Sequence, residues 1–396
     1  MEMGKPVRQG VAEVEKCAWV CEYYADHAEA HLAPDEVKSD AYHSYVAFEP
    51  LGVVFAIMPW NFPLWQVYRF AAPGLMAGNT ALLKHSSNVP GCALAIEENF
   101  RQAGFSEGAF QALLISSRQA PAVIEHPLVR AVTLTGSTPA GKDVASRAGA
   151  VVKKTVLELG GSDAYLVLED ADLDHAAQVC VDARLINNGQ SCIAAKRFIV
   201  VESVFSAFAD RFVRLMKAKK MGDPLNESTE VGPQARLDLR DDLHAQVRTS
   251  VERGAKILLG GEIPAGPGAF YPPTVLVDVK PGMPAYDEEM FGPVAALIVA
   301  RDETEAIRIA NDTPFGLGAA VFTQDIERGE RIAHQLEAGS TFVNTNVVSD
   351  PRLPFGGIKE SGYGRELGSY GIKEFVNVKT IYIQKPVQPE KRIDTE

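Results

Sequence analysis

Three short segments pair a reactive side chain with a backbone suited to hold it. In Asn187-Asn188-Gly189-Gln190-Ser191-Cys192, a cysteine follows a predicted helix end and a glycine turn. Backbone N–H groups exposed there favour the thiolate, the nucleophilic form. The segment alone is more often structural, because most cysteines are small core residues. In Leu157-Glu158-Leu159-Gly160-Gly161, a carboxylate ends an apolar strand. At the carboxyl edge of an α/β sheet it faces the ligand crevice, where desolvation raises its pKa towards the range of a general base. A capping or surface glutamate is the competing reading. In Pro59-Trp60-Asn61-Phe62-Pro63, two prolines bracket and stiffen the backbone. A rigid Asn61 amide is a good donor to a developing oxyanion; a structural turn around a buried tryptophan is the alternative. Together the segments offer a nucleophile, a base and an oxyanion donor.

Two further segments speak more weakly. Residues 135–141 (TGSTPAG) join a strand to a helix and offer its first N–H groups to a phosphate. The spacing is not G-x-G-x-x-G, so the segment is a poor fingerprint by itself. Residues 288–294 (EEMFGPV) carry no mechanism readable from spacing.

The elements that position these residues alternate. Strands are predicted at 51–59, 80–86, 110–116, 129–136 and 153–161, with helices between them. Five strands and four helices imply parallel pairing with right-handed crossovers, a doubly wound sheet. The second half alternates more loosely and reads as a second α/β domain. Residues 42–49 and 378–384 are alternating and β-rich, outside both patterns. They are predicted to pair as a small extra sheet, within one chain or across a subunit boundary.

Composition bounds the function. The 396 residues suffice for two or three domains with proper cores. Lys and Arg number 39 against 51 Asp and Glu, a formal charge of −12, which excludes nucleic acid as a partner but leaves a small anionic ligand open. No apolar run is long enough to span a bilayer, and residues 1–16 lack the apolar core of a secretory signal. The five cysteines (17, 21, 92, 180 and 192) form no metal-like pairing with histidines. An odd, sparse count suits a reducing cytoplasm. Cys17 and Cys21 lie four apart on a predicted helix and read as core-facing thiols rather than a metal or redox pair.

The set PWNFP, TGSTPAG, LELGG, NNGQSC, EEMFGPV and PFGGIKESGYGRE, in this order from residue 59 to 366, resembles the aldehyde dehydrogenase superfamily. The nearest likeness is to the compact bacterial-type branch of NAD(P)-dependent succinate-semialdehyde dehydrogenases. The resemblance implies that Cys192 attacks the aldehyde. Asn61 and the Cys192 N–H would hold the oxyanion of the thiohemiacetal, and Glu158 would activate the water that hydrolyses the thioester. It implies that Glu289 binds the nicotinamide ribose, Phe291 packs beside the nicotinamide, Lys84 reaches the adenine ribose and Ser137 a phosphate. Pro59, Trp60 and Gly136 complete the expected cofactor contacts. NAD-preferring members often carry a glutamate where this chain has Ser87. Serine leaves room for a 2′-phosphate, so NADP is favoured over NAD. Arg69 and Ser349 are expected to bind a distal carboxylate, with Arg184 as a further cation; the position six before the cysteine, an arginine in other such enzymes, is Ile186 here.

The resemblance implies a cofactor domain over 1–29 and 49–160, a catalytic domain over 161–358, and oligomerisation segments over 30–48 and 378–396. It also implies a cytoplasmic homodimer or homotetramer that needs no metal and has no nucleic-acid or membrane partner. Members carry more residues before the equivalent of Val7, so apolar surface is expected to be uncovered there. Glutarate semialdehyde and uncharged aliphatic aldehydes are alternative substrates. A CoA-acylating dehydrogenase is disfavoured by Glu158, and a cysteine hydrolase by the lack of a histidine in a partner motif. A catalytically impaired binding protein on the same fold is the remaining rival.

Overall fold

The computed structural model describes residues 2–386; the end of the expected oligomerisation segment, 387–396, lies outside them. The chain enters through the helix α1 (Val7–Leu32), which buries Cys17, Val20, Tyr24 and Ala28 along one face. Cys17 is therefore core-facing and Cys21 half-buried.

Strands β1 (Asp35–Glu36) and β2 (His43–Pro50) follow, then β3 (Val53–Met58), helix α2 (Trp65–Met76), β4 (Thr80–His85), helix α3 (Pro90–Gln102) and β5 (Phe110–Ala112). The short helix α4 (Ala120–Glu125) leads to β6 (Val129–Thr135), and α5 (Thr138–Ala150) to β7 (Lys154–Glu158). Strands β5, β4, β3, β6 and β7 lie side by side in that order and run parallel. Strand order reverses between β3 and β6, the switch point at which such sheets open a crevice beyond their carboxyl ends. Apolar residues face both layers of helices: Val54, Ala56 and Leu83 pack on one side, and Phe55, Val132 and Leu134 on the other.

The second half starts with β8 (Ala164–Val167), helix α6 (Leu173–Leu185) and β9 (Arg197–Val201). Asp172 caps α6 by accepting from the Asp174 and His175 N–H groups. Strands β10 (Lys256–Leu259), β11 (Thr274–Val277), β12 (Val294–Ala300), β13 (Phe315–Gly316), β14 (Gly318–Phe322), β15 (Ser340–Val343), β16 (Ile358–Lys359), β17 (Gly362–Tyr363) and β18 (Val376–Ile383) complete the chain. Five of them join β8 and β9 in one seven-stranded sheet in the order β10-β11-β12-β9-β8-β14-β15. The fully buried pattern of β8, β9 and β11 matches a sheet covered on both faces.

Two pairings tie the ends of the chain to its start. Strand β17 runs antiparallel to β7, with Gly362 opposite Glu158. Strand β18 pairs antiparallel with β2 from Val376↔Pro50 to Ile383↔His43, the extra sheet expected from the two alternating segments. Among the described residues no helix is long and apolar enough to cross a membrane.

Candidate active site

The loops that carry the candidate residues meet between the carboxyl edge of the first sheet and the amino edge of the second. Glu158 is the last residue of β7; residues 159–163 then lead directly into β8. Cys192 sits on the segment between α6 and β9. A Cβ added to Gly161 would stand 2.8 Å from the Cys192 carbonyl oxygen, so the segment after Glu158 lies against the nucleophile's backbone.

A sharp reversal delivers Cys192. Helix α6 stops at Leu185, and Asn187 and Asn188 adopt φ of 52° and 58°. Asparagine tolerates this left-handed region better than most residues. The Asn187 side-chain nitrogen donates to the Asn61 carbonyl (2.7 Å) and the Gln190 carbonyl (3.0 Å). The Asn61 side-chain nitrogen also donates to the Gln190 carbonyl, at 3.1 Å. One of its two amide hydrogens is therefore engaged and the other remains available.

His85, at the end of β4, lies within hydrogen-bond distance of the Met58 and Pro63 carbonyls (3.2 and 2.8 Å), on either side of the Asn61 turn. The Ser86 N–H donates to His85 Nδ1 (2.9 Å), so a neutral ring donating from Nε2 to Pro63 satisfies both nitrogens. Burial pushes its pKa below the ordinary value.

Helix α1 braces both loops. Glu13 Oε1 accepts from the Leu64 and Trp65 N–H groups (2.8 and 3.0 Å) at the start of α2, and its other oxygen is paired with Lys5. Gln9 Oε1 accepts the Asn187 N–H at 2.7 Å. Nothing in the spacing of α1 announces these contacts.

The electrostatics differ from expectation at the cysteine. Burial pushes the Cys192 thiol up to about 12; Arg69 and Lys196 draw it down less, and Glu289 and Glu158 raise it further. Desolvation thus favours the thiol at this half-buried cysteine, where the loop alone suggested a thiolate. Glu158 behaves as expected. It is 2% exposed, and burial raises its carboxyl well above the usual range against the opposing pull of Arg69. Both its carboxylate oxygens lack hydrogen-bond partners. A Cβ at Gly356 would come within 2.6 Å of Glu158 Oε1, so the glycine of PFGG gives that oxygen its room.

The cofactor residues gather at the carboxyl edge of the first sheet. Pro59 and Trp60 follow β3, Lys84 and Ser87 lie at the end of β4, and Gly136 and Ser137 separate β6 from α5. Ser137 caps α5 without a side-chain hydrogen bond to the first turn, so N–H groups there stay available to a phosphate. Lys84 Nζ donates only to the His85 carbonyl, at 3.3 Å. Glu289 Oε1 accepts the Gly161 N–H (3.1 Å) and lies 3.5 Å from Lys196 Nζ. The Phe291 ring meets Trp60 edge to face at 5.8 Å. This set fits a dinucleotide: helix N–H groups for phosphate, a cation and hydroxyl for a ribose, and a carboxylate and aromatic rings beside the nucleophile. Among the described residues no group of three or more His, Cys, Asp or Glu is placed to hold a metal.

On its other side Cys192 lines a cavity of about 770 Å³ whose walls include Phe62, Trp65, Phe355, Arg69, Lys16 and Ser349. Arg69 is buried, paired with Glu366, and stacked on Phe355 at 4.7 Å. Ser349 accepts from Lys16 Nζ (2.8 Å) and Trp65 Nε1 (3.1 Å). Arg184, expected at the substrate, is turned away. The Asn187–Asn188 reversal leaves it fully buried behind the loop, donating to the Gly189 carbonyl at 2.7 Å, while its neighbours Ala183, Leu185 and Ile186 line the cavity. Lys16, Lys196 and Glu366 were missed from sequence. Lys16 and Glu366 meet partners far away in the chain, and Lys196 joins the nearby Ser191 and Cys192 carbonyls to the distant Glu289.

The model of the Aldehyde dehydrogenase family matches residues 1–381. A probable NADP(+) succinate-semialdehyde dehydrogenase from Synechocystis is 55% identical over 97% of this chain and 84% of its own length. An NAD(P)+ succinate semialdehyde dehydrogenase from Escherichia coli is 49% identical over 96% of this chain and 82% of its own. The crystal structure of a succinic semialdehyde dehydrogenase from Streptococcus pyogenes in complex with NADP+ superposes with a TM-score of 0.95, at 39% identity over 97% of this chain and 84% of that one.

Proposed function

We propose, because the chain belongs to the aldehyde dehydrogenase family, that it oxidises succinate semialdehyde to succinate with NADP+ or NAD+. The carrying observation is that Asn61, Glu158 and Cys192 are brought together by direct contacts between their own loops, with Glu158 buried and its oxygens free of partners. The names of the relatives supply the substrate, and a cavity that carries cations beside apolar walls suits an aldehyde ending in a carboxylate.

In this reading Cys192 Sγ bonds to the aldehyde carbon, and its proton leaves the site. The free amide hydrogen of Asn61 and the Cys192 N–H hold the resulting oxyanion. NADP+ or NAD+, when bound, accepts the hydride that leaves this carbon, and a thioester remains on Cys192. Glu158, ionised, takes a proton from water as the water oxygen attacks the thioester carbon; the C–S bond breaks and Glu158 passes that proton to the departing Cys192 sulfur. Lys84 and Ser87 would hold the adenine ribose, Gly136 and Ser137 a phosphate, and Glu289 the nicotinamide ribose, with Pro59, Trp60 and Phe291 beside the ring. The exposed Ser87 leaves space for a 2′-phosphate, which supports NADP as the better cofactor.

We also read the β1–β2–β18 sheet as an oligomerisation surface. Its edge strand β18 exposes Val378, Tyr382 and Ile383, an apolar edge suited to a second copy of the chain. All five cysteines are free, which fits the reducing cytoplasm.

The test follows absorbance of reduced cofactor with succinate semialdehyde or hexanal and with NAD or NADP, using Cys192→Ala as the blank. Turnover that prefers the semialdehyde and vanishes in the blank is expected. Turnover on hexanal alone would discard the substrate.

A further inference from the structure

Lys196 stands immediately before β9 and is fixed there by the second sheet. Its N–H donates to the Asp163 carbonyl at 3.1 Å, and its own carbonyl accepts the Ala296 N–H at 3.0 Å. From this anchor the side chain, 1% exposed, turns back to the loop of the nucleophile. The ammonium donates to the Ser191 carbonyl at 3.0 Å and to the Cys192 carbonyl at 2.7 Å, and lies 3.5 Å from Glu289 Oε1. Three oxygens thus meet the three N–H groups of the ammonium. Burial lowers the pKa of Lys196, and the charges of Glu289 and Asp163 oppose that fall.

The two carbonyls belong to the peptide units on either side of the Cys192 Cα. A trans peptide is planar, and its C=O and N–H point in opposite directions. An ammonium on the Ser191 oxygen therefore fixes the direction of the Cys192 N–H. That N–H donates to no other group among the described residues, so it is available to an oxyanion. The Ala194 N–H also reaches the Ser191 oxygen, at 3.1 Å, but brings no charge. A positive charge at the carbonyl end polarises the peptide and makes its N–H a stronger donor. The preceding unit is held by other partners, because the Gln190 carbonyl accepts from Asn61 and Asn187.

We propose that Lys196 is a positioning residue for the oxyanion: through the Ser191 and Cys192 carbonyls it aims the Cys192 N–H and strengthens it as a donor. This inference rests on the reading of Cys192 as the nucleophile and of its N–H as an oxyanion donor. Glu289, on the remaining N–H of the ammonium, ties the same lysine to the carboxylate read as the ribose partner. A lysine that only held the loop together, or only drew down the thiol, would slow every reaction of Cys192 alike. One that serves the oxyanion matters where an oxyanion forms and nowhere else.

The experiment compares two reagents on the full chain without cofactor, in wild type, Lys196→Met and Lys196→Gln. With p-nitrophenyl acetate the Cys192 thiolate adds to the ester carbonyl, an oxyanion forms, and p-nitrophenolate leaves with the acetyl group on sulfur. With iodoacetamide the thiolate displaces iodide from a saturated carbon and no oxyanion forms. Release of p-nitrophenolate follows the first, with Cys192→Ala as the blank, and mass spectrometry of the Cys192 peptide follows the second. We expect acylation to fall at least ~10-fold further than alkylation in Lys196→Met, with Lys196→Gln, which keeps an uncharged donor, in between. Should Lys196→Met fail to fold, Lys196→Gln against wild type carries the same contrast. Equal slowing of the two reactions, or no slowing of acylation, would overturn the assignment. If wild type shows no acylation that depends on Cys192, the reading of the nucleophile fails and this inference with it. If wild type is acylated and the variants slow both reactions alike, that reading stands and only Lys196 is wrong.

Discussion

Asn187 fastens Asn61 to the loop of the nucleophile: its side-chain nitrogen donates to the Asn61 carbonyl at 2.7 Å and to the Gln190 carbonyl at 3.0 Å. The oxyanion donor is thus held by its backbone and by one amide hydrogen, while the other amide hydrogen stays free to act. Asn187→Ala removes both bonds and places a Cβ-bearing residue without amide compensation at φ 52°. A stability loss of about 1–3 kcal/mol is expected, with a fall in kcat and little change in KM for the cofactor. Thermal unfolding and steady-state kinetics check it; an unchanged kcat would sink the positioning role.

Asn61→Ala removes the amide itself. Loss of one oxyanion donor costs on the order of 10²–10³ in kcat. The same loss is expected on every aldehyde, because the oxyanion is common to all of them.

Glu158→Gln keeps the shape and removes the base. One turnover of reduced cofactor is expected on mixing, followed by a steady-state rate lower by about 10²–10⁴. The acyl group should be found on Cys192 by mass spectrometry. In wild type, burial raises the Glu158 carboxyl well above its ordinary value. The carboxyl is protonated and inactive below that raised value, so hydrolysis should slow as pH falls through it. An acid limb at ordinary carboxylate pH would refute the burial argument.

With the Cys192 thiol pushed up to about 12, the cofactor-free protein holds a thiol at neutral pH. Alkylation by iodoacetamide is expected to be slow and to climb steadily between about pH 7 and pH 10 without levelling off. A plateau near neutrality would show that the N–H groups of the loop outweigh burial.

The Arg69–Glu366 pair makes a stability prediction. Arg69→Met strands a buried carboxylate, and breaking such a pair costs about 3–5 kcal/mol. Adding Glu366→Gln should recover much of that loss. Charged and uncharged aldehydes should suffer alike. A selective loss on the semialdehyde would show Arg69 binding the distal carboxylate as well as Glu366.

Much of this was legible beforehand. The five strands of the first sheet and the pairing of β2 with β18 follow from apolar runs and alternation, which are local signals. Glu158 at a strand end and Asn61 between prolines are local too. The desolvation of the half-buried Cys192 was not legible, because it depends on what the rest of the chain folds over the loop. Arg184 was misplaced because the Asn187–Asn188 reversal turns the chain between it and the nucleophile. The contacts of Gln9, Glu13 and Lys16 reach partners tens to hundreds of residues away. An amphipathic pattern shows that α1 has a buried face, but not whose loops that face will meet.

The residues grouped at the strand ends, Lys84, Ser87, Gly136, Ser137 and Glu289, are absent from the wall of the cavity that holds Lys16 and Ser349. Cys192 therefore stands between the residues proposed for the dinucleotide and the cavity proposed for the acyl chain, so that each half of the reaction would be approached from its own side.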